Sequence, residues 1–143
     1  MTVQRILNNK GIAVPTILPD ATIVDVIARL EAEDSGALVI SSDGKSIEGI
    51  ISERDVVRGL RQFGTDVMAK KVTELMTEKV FTCSANDRVA GVMAMMDDKK
   101  IRHVPVAHHG NLAGMVSVRD IIKLRLDEVQ AEADAMREYI GHG

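Results

Sequence analysis

Apolar residues recur at helical spacing in two stretches of the chain that lie 66 residues apart. Each stretch is apolar at positions i, i+3, i+4 and i+7, the pattern of a helix that buries one face. The positions are Ile23, Val26, Ile27 and Leu30 in the first stretch and Val89, Val92, Met93 and Met96 in the second. Thr22 stands just before the first stretch and is expected to be its N-cap. The pattern therefore predicts two amphipathic helices at equivalent positions of a duplicated unit.

Each predicted helix stands in the same series of segments. A short extended segment precedes it, at 15–18 and at 80–83, and an apolar strand follows it, at 37–41 and at 103–107. A polar turn and a second strand then lead into a second helix that begins at Glu53 or Val118. The order of elements in each unit is β-α-β-β-α, and the fold class is α+β.

A nine-residue motif closes each unit: "GIISERDVV" begins at Gly49, and "GMVSVRDII" begins 65 residues later. Ser-x-x-Asp before an apolar helical run is the acidic form of a capping box. Ser52 with Asp55, and Ser117 with Asp120, would then cap two helices and need no further role. One interpretation of the motif is therefore structural.

The arginine beside each aspartate favours a second interpretation. Arg54 and Arg119 are kept in both copies, although a cap does not need them and a cation in the first helical turn opposes the macrodipole. A site for an anion does use a guanidinium beside free backbone N–H groups. A carboxylate at a helix start can also accept hydrogen bonds from the hydroxyls of a ribose. A cap and a site for a ribose phosphate both remain open.

The two motifs resemble the pattern G-h-h-[ST]-x-x-D-h of the CBS-domain family in its tandem form, the Bateman module, here as a stand-alone pair of the bacterial type. The match covers about residues 12–128, and "IRHVPV" (101–106) resembles the strand that the family places at the nucleotide. The resemblance implies two units packed sheet against sheet about a pseudo-two-fold axis. It also implies two clefts between the units that bind adenosyl ligands such as AMP, ADP, ATP, NAD or S-adenosylmethionine.

The resemblance further implies which residues line the clefts. The first cleft would combine Ser52, Arg54 and Asp55 with Ser84, Ile101, Arg102 and His103. The second cleft would combine Ser117, Arg119 and Asp120 with Thr16, Leu18, Gly36 and Ala37. Arg102 and His103 stand where the second cleft has Gly36 and Ala37, so we expect the first cleft to hold the more highly charged nucleotide, or to hold it more tightly. His103 could instead be a neutral packing residue.

The repeat and the resemblance together divide the chain into four segments. Residues 1–64 hold an N-terminal helix and the first unit, and residues 65–79 are a linker with a short helical turn. Residues 80–128 are the second unit, and residues 129–143 extend the last helix into a tail. The apolar stripe of that helix continues to Ile140, beyond what a small unit needs. It packs either on the N-terminal helix or on a second chain.

Composition narrows the remaining classes of function. A net charge of −3, a pI of about 5.8 and an aromatic fraction of 2% give no reason to expect nucleic acid or a membrane surface as partner. The single cysteine excludes an internal disulfide. No signal peptide or membrane helix is evident, so we expect a cytoplasmic protein. His108 and His109 fall in a turn, where a solvated loop or a metal pair remains open, and no metal site is predicted.

The sequence holds no nucleophile elbow, zinc-protease motif or phosphate-binding glycine loop, so we do not expect an enzyme or a catalytic cofactor. The leading hypothesis is a regulatory sensor that binds an adenine nucleotide and acts on an unidentified regulated protein. We expect it to form a homodimer. The alternative is a structural or interaction module whose clefts stay empty.

Overall fold

The computed structural model describes residues 1–142, and Gly143, the end of the predicted tail, lies outside the described residues. The elements in chain order are α1 (Val3–Lys10), β1 (Thr16–Ile17), α2 (Ile23–Ala32), β2 (Ala37–Ile40), β3 (Gly49–Ser52), α3 (Glu53–Phe63), α4 (Val72–Leu75), α5 (Val89–Lys99), β4 (His103–His108), β5 (Asn111–Ser117) and α6 (Val118–His142). A 3-10 helix at Gly64–Ala69 precedes α4. The mixed α+β class and the long final helix are confirmed.

The first unit follows the predicted order. Strand β2 lies between β1, to which it is parallel, and β3, to which it is antiparallel. Helix α2 begins at the predicted N-cap: the Thr22 amide donates to the Asp25 carboxylate at 2.9 Å, and the Asp25 amide faces the Thr22 hydroxyl at 3.5 Å. This cap fixes where the chain turns from β1 into the helix.

The second unit differs from the first in its opening segment. The sequence predicts a strand at 80–83, but only Cys83 pairs with the sheet, donating to the Pro105 carbonyl at 3.0 Å and accepting from Ala107 at 2.8 Å. In the first unit the residue equivalent to Pro105 is Val39, whose amide donates to the Pro15 carbonyl at 3.1 Å. Proline has no N–H to donate, so the ladder cannot extend further and the predicted strand is reduced to one bridge.

The N-terminal helix packs on the unit that it does not precede. We grouped α1 with the first unit by chain order, but Val3, Ile6 and Leu7 are buried in the core of the second unit. Helix α4, from the segment interpreted as a linker, packs in the first unit, where Val72 is fully buried. The two units therefore exchange their preceding helices, as a pseudo-two-fold relationship requires.

A missing side chain makes room for each exchanged helix. A Cβ at Gly114 would lie 2.7 Å from Cδ2 of Leu7, and a Cβ at Gly49 would lie 2.5 Å from Sδ of Met76. Carbon atoms do not approach other heavy atoms this closely, so a larger residue at either position would force the Leu7 or Met76 side chain to move. The glycine that opens each motif is therefore explained by the helix that packs on it.

Some apolar positions of the predicted core face solvent instead. Ile27 in α2 is 37% exposed and its repeat equivalent Met93 in α5 is 50% exposed, while the other positions of both stripes are buried. On α6, Ile121 and Leu124 are buried, and the stripe beyond them is exposed except for the half-buried Ala133. Among residues 1–142, no helix combines the length and apolarity needed to cross a membrane.

Candidate functional site

A cavity of about 610 Å³ opens between the two units. One wall comes from the first unit, at the junction of β3 with α3, and the other from the second unit, at the junction of α5 with β4. Its volume lies within the range of small-molecule sites, roughly 300–1,000 Å³. Six residues predicted for the first cleft line it, namely Ser52, Arg54, Asp55, Ile101, Arg102 and His103.

The start of α3 forms the capping interaction that the motif predicts. The Ser52 amide donates to Oδ2 of Asp55 at 2.8 Å, and the Ser52 hydroxyl lies 3.1 Å from the same oxygen. The other oxygen, Oδ1, is 4.0 Å from the guanidinium of Arg58. Because the cap uses a single oxygen, Asp55 can cap α3 and still accept a hydrogen bond from a ligand.

Arg54 makes a contact that joins the two units. Its Nη1 donates to the Lys100 carbonyl at 3.1 Å. Lys100 ends α5 in the left-handed conformation, with φ of 55°, where helix carbonyls need outside partners. The presence of arginine at position 54 is thus explained in part without any ligand.

Positive charge dominates the cavity wall. Six of its lining residues are cationic and two are acidic. The cations are Arg54, Arg58, Lys79, Lys99, Lys100 and Arg102, and the acids are Glu53 and Asp55. In a partly dry cleft this excess attracts an anion more strongly than it would at an open surface. Apolar contact surface is present beside the charges, at Ala37, Val80, Phe81 and Ile101.

His103 lies at the boundary between the two predicted clefts. A Cβ at Gly36 would be 2.9 Å from its Cε1, so the imidazole packs directly on the glycine. Burial, with smaller effects of Lys10 and Arg102, lowers the pKa of His103, although Asp120 and Glu53 act in the opposite direction. A neutral imidazole in tight contact favours the packing role for this residue.

A lysine of the chain itself occupies the second predicted cleft. Nζ of Lys10 donates to Oδ2 of Asp120 at 2.7 Å and to the Met115 carbonyl at 2.9 Å. The same Asp120 oxygen accepts from the Ser117 amide at 2.8 Å, and the Ser117 hydroxyl accepts from the Asp120 amide at 3.1 Å. This carboxylate is therefore already bonded by a cation and by its own helix cap.

The remaining residues assigned to the clefts are dispersed. Gly36 and Ala37, assigned to the second cleft, line the first cavity. A second cavity of about 550 Å³ includes Gly36 and Arg119, but most of its wall belongs to α2 and α3. The residues that line neither cavity are Thr16, Leu18, Ser84, Ser117 and Asp120. The structure thus brings most of the residues predicted for the first cleft into one cavity. The residues predicted for the second cleft share no cavity.

Two lysines at the clefts escaped the sequence interpretation. Lys10 contacts Asp120, and Lys79 lines the first cavity. Both end the same spacing, "VQRILNNK" at 3–10 and "VTELMTEK" at 72–79, which repeats after 69 residues. The repeat therefore includes the segment before each β-α-β-β-α unit. Aligning these two segments would have identified Lys10 and Lys79 as equivalent residues.

Cys83, His108 and His109 are not among the residues that line the first cavity. Burial raises the pKa of the Cys83 thiol to about 11, so this sulfur stays protonated near neutral pH. His108 and His109 pack on each other with ring centroids 4.1 Å apart. Within residues 1–142, no group of three or more His, Cys, Asp or Glu side chains is arranged to hold a metal ion.

Comparison with known proteins identifies the fold that carries this cavity. The model of the CBS domain family matches residues 9–62 and again residues 72–127. The chain belongs to the CBS-domain family and holds two of its domains in tandem. The crystal structure of the CBS-domain containing protein ATU1752 from Agrobacterium tumefaciens superposes with a TM-score of 0.84 at 35% identity, covering 87% of this chain and 99% of that one.

Two further relatives bear on ligands and on length. The CBS domain pair of MJ0100, solved with 5′-methylthioadenosine and S-adenosyl-L-methionine, gives a TM-score of 0.73 at 25% identity over 87% of this chain and 98% of that one. CBSX3, a mitochondrial CBS domain-containing protein of Arabidopsis thaliana, is 33% identical over 87% of this chain and 62% of its own length. The chain spans from 34% to 66% of the length of the first curated relatives that it matches.

Proposed function

We propose that the chain is a non-catalytic regulatory module that binds an adenine nucleotide in the cavity between its two CBS units. The observation that carries the proposal is the cavity itself, which joins the helix-start carboxylate of Asp55 to a strongly cationic wall. The adenosyl ligands of the MJ0100 pair support the class of ligand. Binding would brace the two units against each other and alter the surface offered to a regulated protein.

The arrangement of side chains suggests how such a ligand would lie. Oδ1 of Asp55 accepts a ribose hydroxyl, and adenine packs against Ile101 and Ala37. The phosphates face the arginines and lysines of the wall, with Arg102 nearest to the strand that the family uses. Because the wall has many more cations than acids, we expect ADP and ATP to bind more tightly than AMP.

Thermal unfolding with AMP, ADP, ATP, NADH and S-adenosylmethionine tests the proposal. A ligand at 100 times its dissociation constant adds about 2.7 kcal/mol to the free energy of unfolding. We expect ADP and ATP to raise the melting temperature, and salt to weaken the effect. A chain that responds to none of the five would be the ligand-free interaction module instead. Equal shifts in melting temperature with AMP and ATP would contradict the claim that the cationic wall favours the more highly charged nucleotide.

A pair of arginine variants makes the test specific to the cavity. Arg102→Gln removes a cation from the wall, whereas Arg61→Gln removes one from the exposed outer part of α3. Both change the net charge equally. We expect only Arg102→Gln to weaken the response to ADP and ATP.

The exposed stripe of α6 supports a homodimer as the assembled form. Its members alternate at spacings of four and three residues and are 48–71% exposed except for the half-buried Ala133. They are Ile122, Leu126, Val129, Ala133, Met136 and Ile140. This is the a/d pattern of a coiled coil, with Leu126 at a and Val129 at d. A second copy of α6 presents the same stripe and would cover it.

Charges beside the stripe favour a parallel pair. Glu132 falls at g and Arg137 at the following e position, which meet across a parallel coiled coil with opposite charge. In the antiparallel pairing of the same a and d layers, Glu132 would face Glu132 of the second copy, and Lys123 would face Arg137. Light scattering on a sizing column tests the assembly: we expect the mass of two chains, and a monomer at micromolar concentration would refute it.

A further inference from the structure

Lys10 and Lys79 occupy equivalent places in the two halves of the chain but make different contacts. Each ends a segment whose apolar residue packs on the first glycine of a motif, Leu7 on Gly114 and Met76 on Gly49. The ammonium of Lys10 then reaches Asp120 at 2.7 Å. Lys79 lines the first cavity and, within residues 1–142, makes no ion pair with Asp55, the equivalent carboxylate. One cleft is thus occupied by its lysine and the other is open.

The contact of Lys10 uses the groups that a nucleotide would need. Oδ2 of Asp120 accepts from both Lys10 and the Ser117 amide, and the Met115 carbonyl accepts from the same ammonium. The Lys10 and Asp120 side chains are 34% and 21% exposed, so water screens the pair only in part. A ribose hydroxyl could also donate to this carboxylate, but the ammonium adds the attraction between opposite charges, so a ribose would be a weaker partner for Asp120.

Helix α1 is held in place by more than its lysine. The Val3 amide donates to the Asp87 carbonyl at 2.9 Å, and the Val89 amide donates to the Met1 carbonyl at 3.0 Å. Val3 and Leu7 are buried in the second core. Moving the helix would expose this apolar surface, so Lys10 leaves Asp120 at lower cost by rotation of its own side chain.

We infer that Lys10 is a built-in occupant of the second cleft, which excludes nucleotide there and limits the chain to one nucleotide site. The inference rests on the proposed function, since it concerns the same ligand class. The two clefts have nearly identical motifs, and Lys10 accounts for the difference between them. Lys10 is a specificity-determining residue in this sense: its contact with Asp120 takes up the carboxylate that a nucleotide would need in the second cleft.

Isothermal titration with ADP measures the consequence. We expect one ADP per chain for the wild type and two for Lys10→Met, which keeps about the length of the aliphatic part of the side chain and removes the ammonium. Lys79→Met is the matched control and should keep a single, weaker site. Lys10→Ala repeats the test with a shorter side chain, and circular dichroism verifies folding. Two sites in the wild type, or one in both folded Lys10 variants, would overturn the inference.

Acetylation of lysines measures the contact without any nucleotide. With limiting acetic anhydride and detection by mass spectrometry, we expect Lys10 to react more slowly than Lys79, because a carboxylate holds its ammonium. Asp120→Asn should bring the two rates together. Equal rates in the wild type would show that Lys10 does not occupy Asp120. If neither the wild type nor any Lys10 variant binds a nucleotide while Lys10 still reacts slowly with acetic anhydride, the proposed function fails. The exclusion of nucleotide by Lys10 then fails with it.

Discussion

The backbone at Gly36 and the imidazole of His103 touch across the boundary between the two units. A Cβ at position 36 would lie 2.9 Å from Cε1 and 3.3 Å from Nε2 of the ring. The Gly36 carbonyl also accepts from the Glu53 amide at 3.0 Å, which fixes the glycine beside the start of α3. This contact therefore sets how closely the two units approach at the wall of the cavity.

Gly36→Ala should lower the free energy of unfolding by about 1–3 kcal/mol, because the added methyl group overlaps a packed ring. Urea unfolding measures the change. Gly91→Ala in α5 is the control, since a Cβ there has nothing within 4 Å and should stabilise the helix by about 0.5–1 kcal/mol.

A double-mutant cycle assigns the cost of Gly36→Ala to its contact. His103→Ala removes the ring, so the alanine at position 36 should cost much less in that background. The claim of a direct contact would be contradicted if Gly36→Ala cost the same with and without the imidazole.

The helices and strands followed from the sequence where a local pattern decides them. The apolar periodicity and Thr22 fixed the start of α2, because a cap and a buried stripe are properties of neighbouring residues. The prediction of a strand at 80–83 was wrong because the pairing of this segment depended on Pro105 in another segment. The packing of α1 on the second unit likewise depended on the space at Gly114, which periodicity does not reveal.

The candidate site could be predicted only in part for the same reason. The repeated motif indicated Asp55 and Asp120 as equivalent carboxylates at helix starts, which is how the structure places them. It could not indicate that Lys10 reaches one of them, because Lys10 is 110 residues away in the chain. The sequence indicates an anion site at Arg54, and the bond from Arg54 to the Lys100 carbonyl gives this residue a structural role as well.

The pH dependence of stability should show the burial of His103. Its pKa is lowered in the folded chain, whereas in the unfolded chain it lies near 6.5. As the pH falls, the unfolded chain takes up the proton first, so the contribution of the neutral ring is complete above about pH 6.5 and is lost below it. Urea unfolding between pH 7.5 and pH 5 measures this loss.

Two histidine variants separate this effect from other groups. His103→Gln should flatten the curve, while His108→Gln, in the exposed turn, should leave it unchanged. The carboxylates with lowered pKa, Asp43 at about 2 and Glu48, act at lower pH and lie outside this window. An equally steep curve for His103→Gln would assign the loss to other residues.

The carboxylate of Asp55 should matter for nucleotide and for stability, and that of Asp25 for stability alone. Both accept from the amide of a helix N-cap, at 2.8 and 2.9 Å, but only Asp55 lines the cavity. We expect each Asp→Asn change to cost up to about 2 kcal/mol of stability. Titration with ADP should show a loss of affinity of about 10-fold or more for Asp55→Asn alone. Equal affinities for the two variants would mean that Asp55 serves only as a cap.

The apolar stripe of α6 should hold two chains together. Val129→Lys places a charge at a d position, and we expect it to convert the dimer into a monomer on a sizing column with light scattering. Ala131→Lys adds the same charge on the outer face of the helix and should leave the dimer intact. If both variants were dimers, or both were monomers, the stripe would not be the interface.

In the proposed dimer, the charges at Glu132 and Arg137 should set the direction of the two helices. In a parallel pair, Glu132→Lys or Arg137→Glu alone turns two attractions into repulsions and should weaken the dimer by about 2- to 30-fold. The double reversal restores opposite charges and should recover the wild-type affinity. In an antiparallel pair, Arg137→Glu would instead relieve its repulsion with Lys123. A tighter dimer for Arg137→Glu, measured by sedimentation equilibrium, would therefore contradict the parallel arrangement.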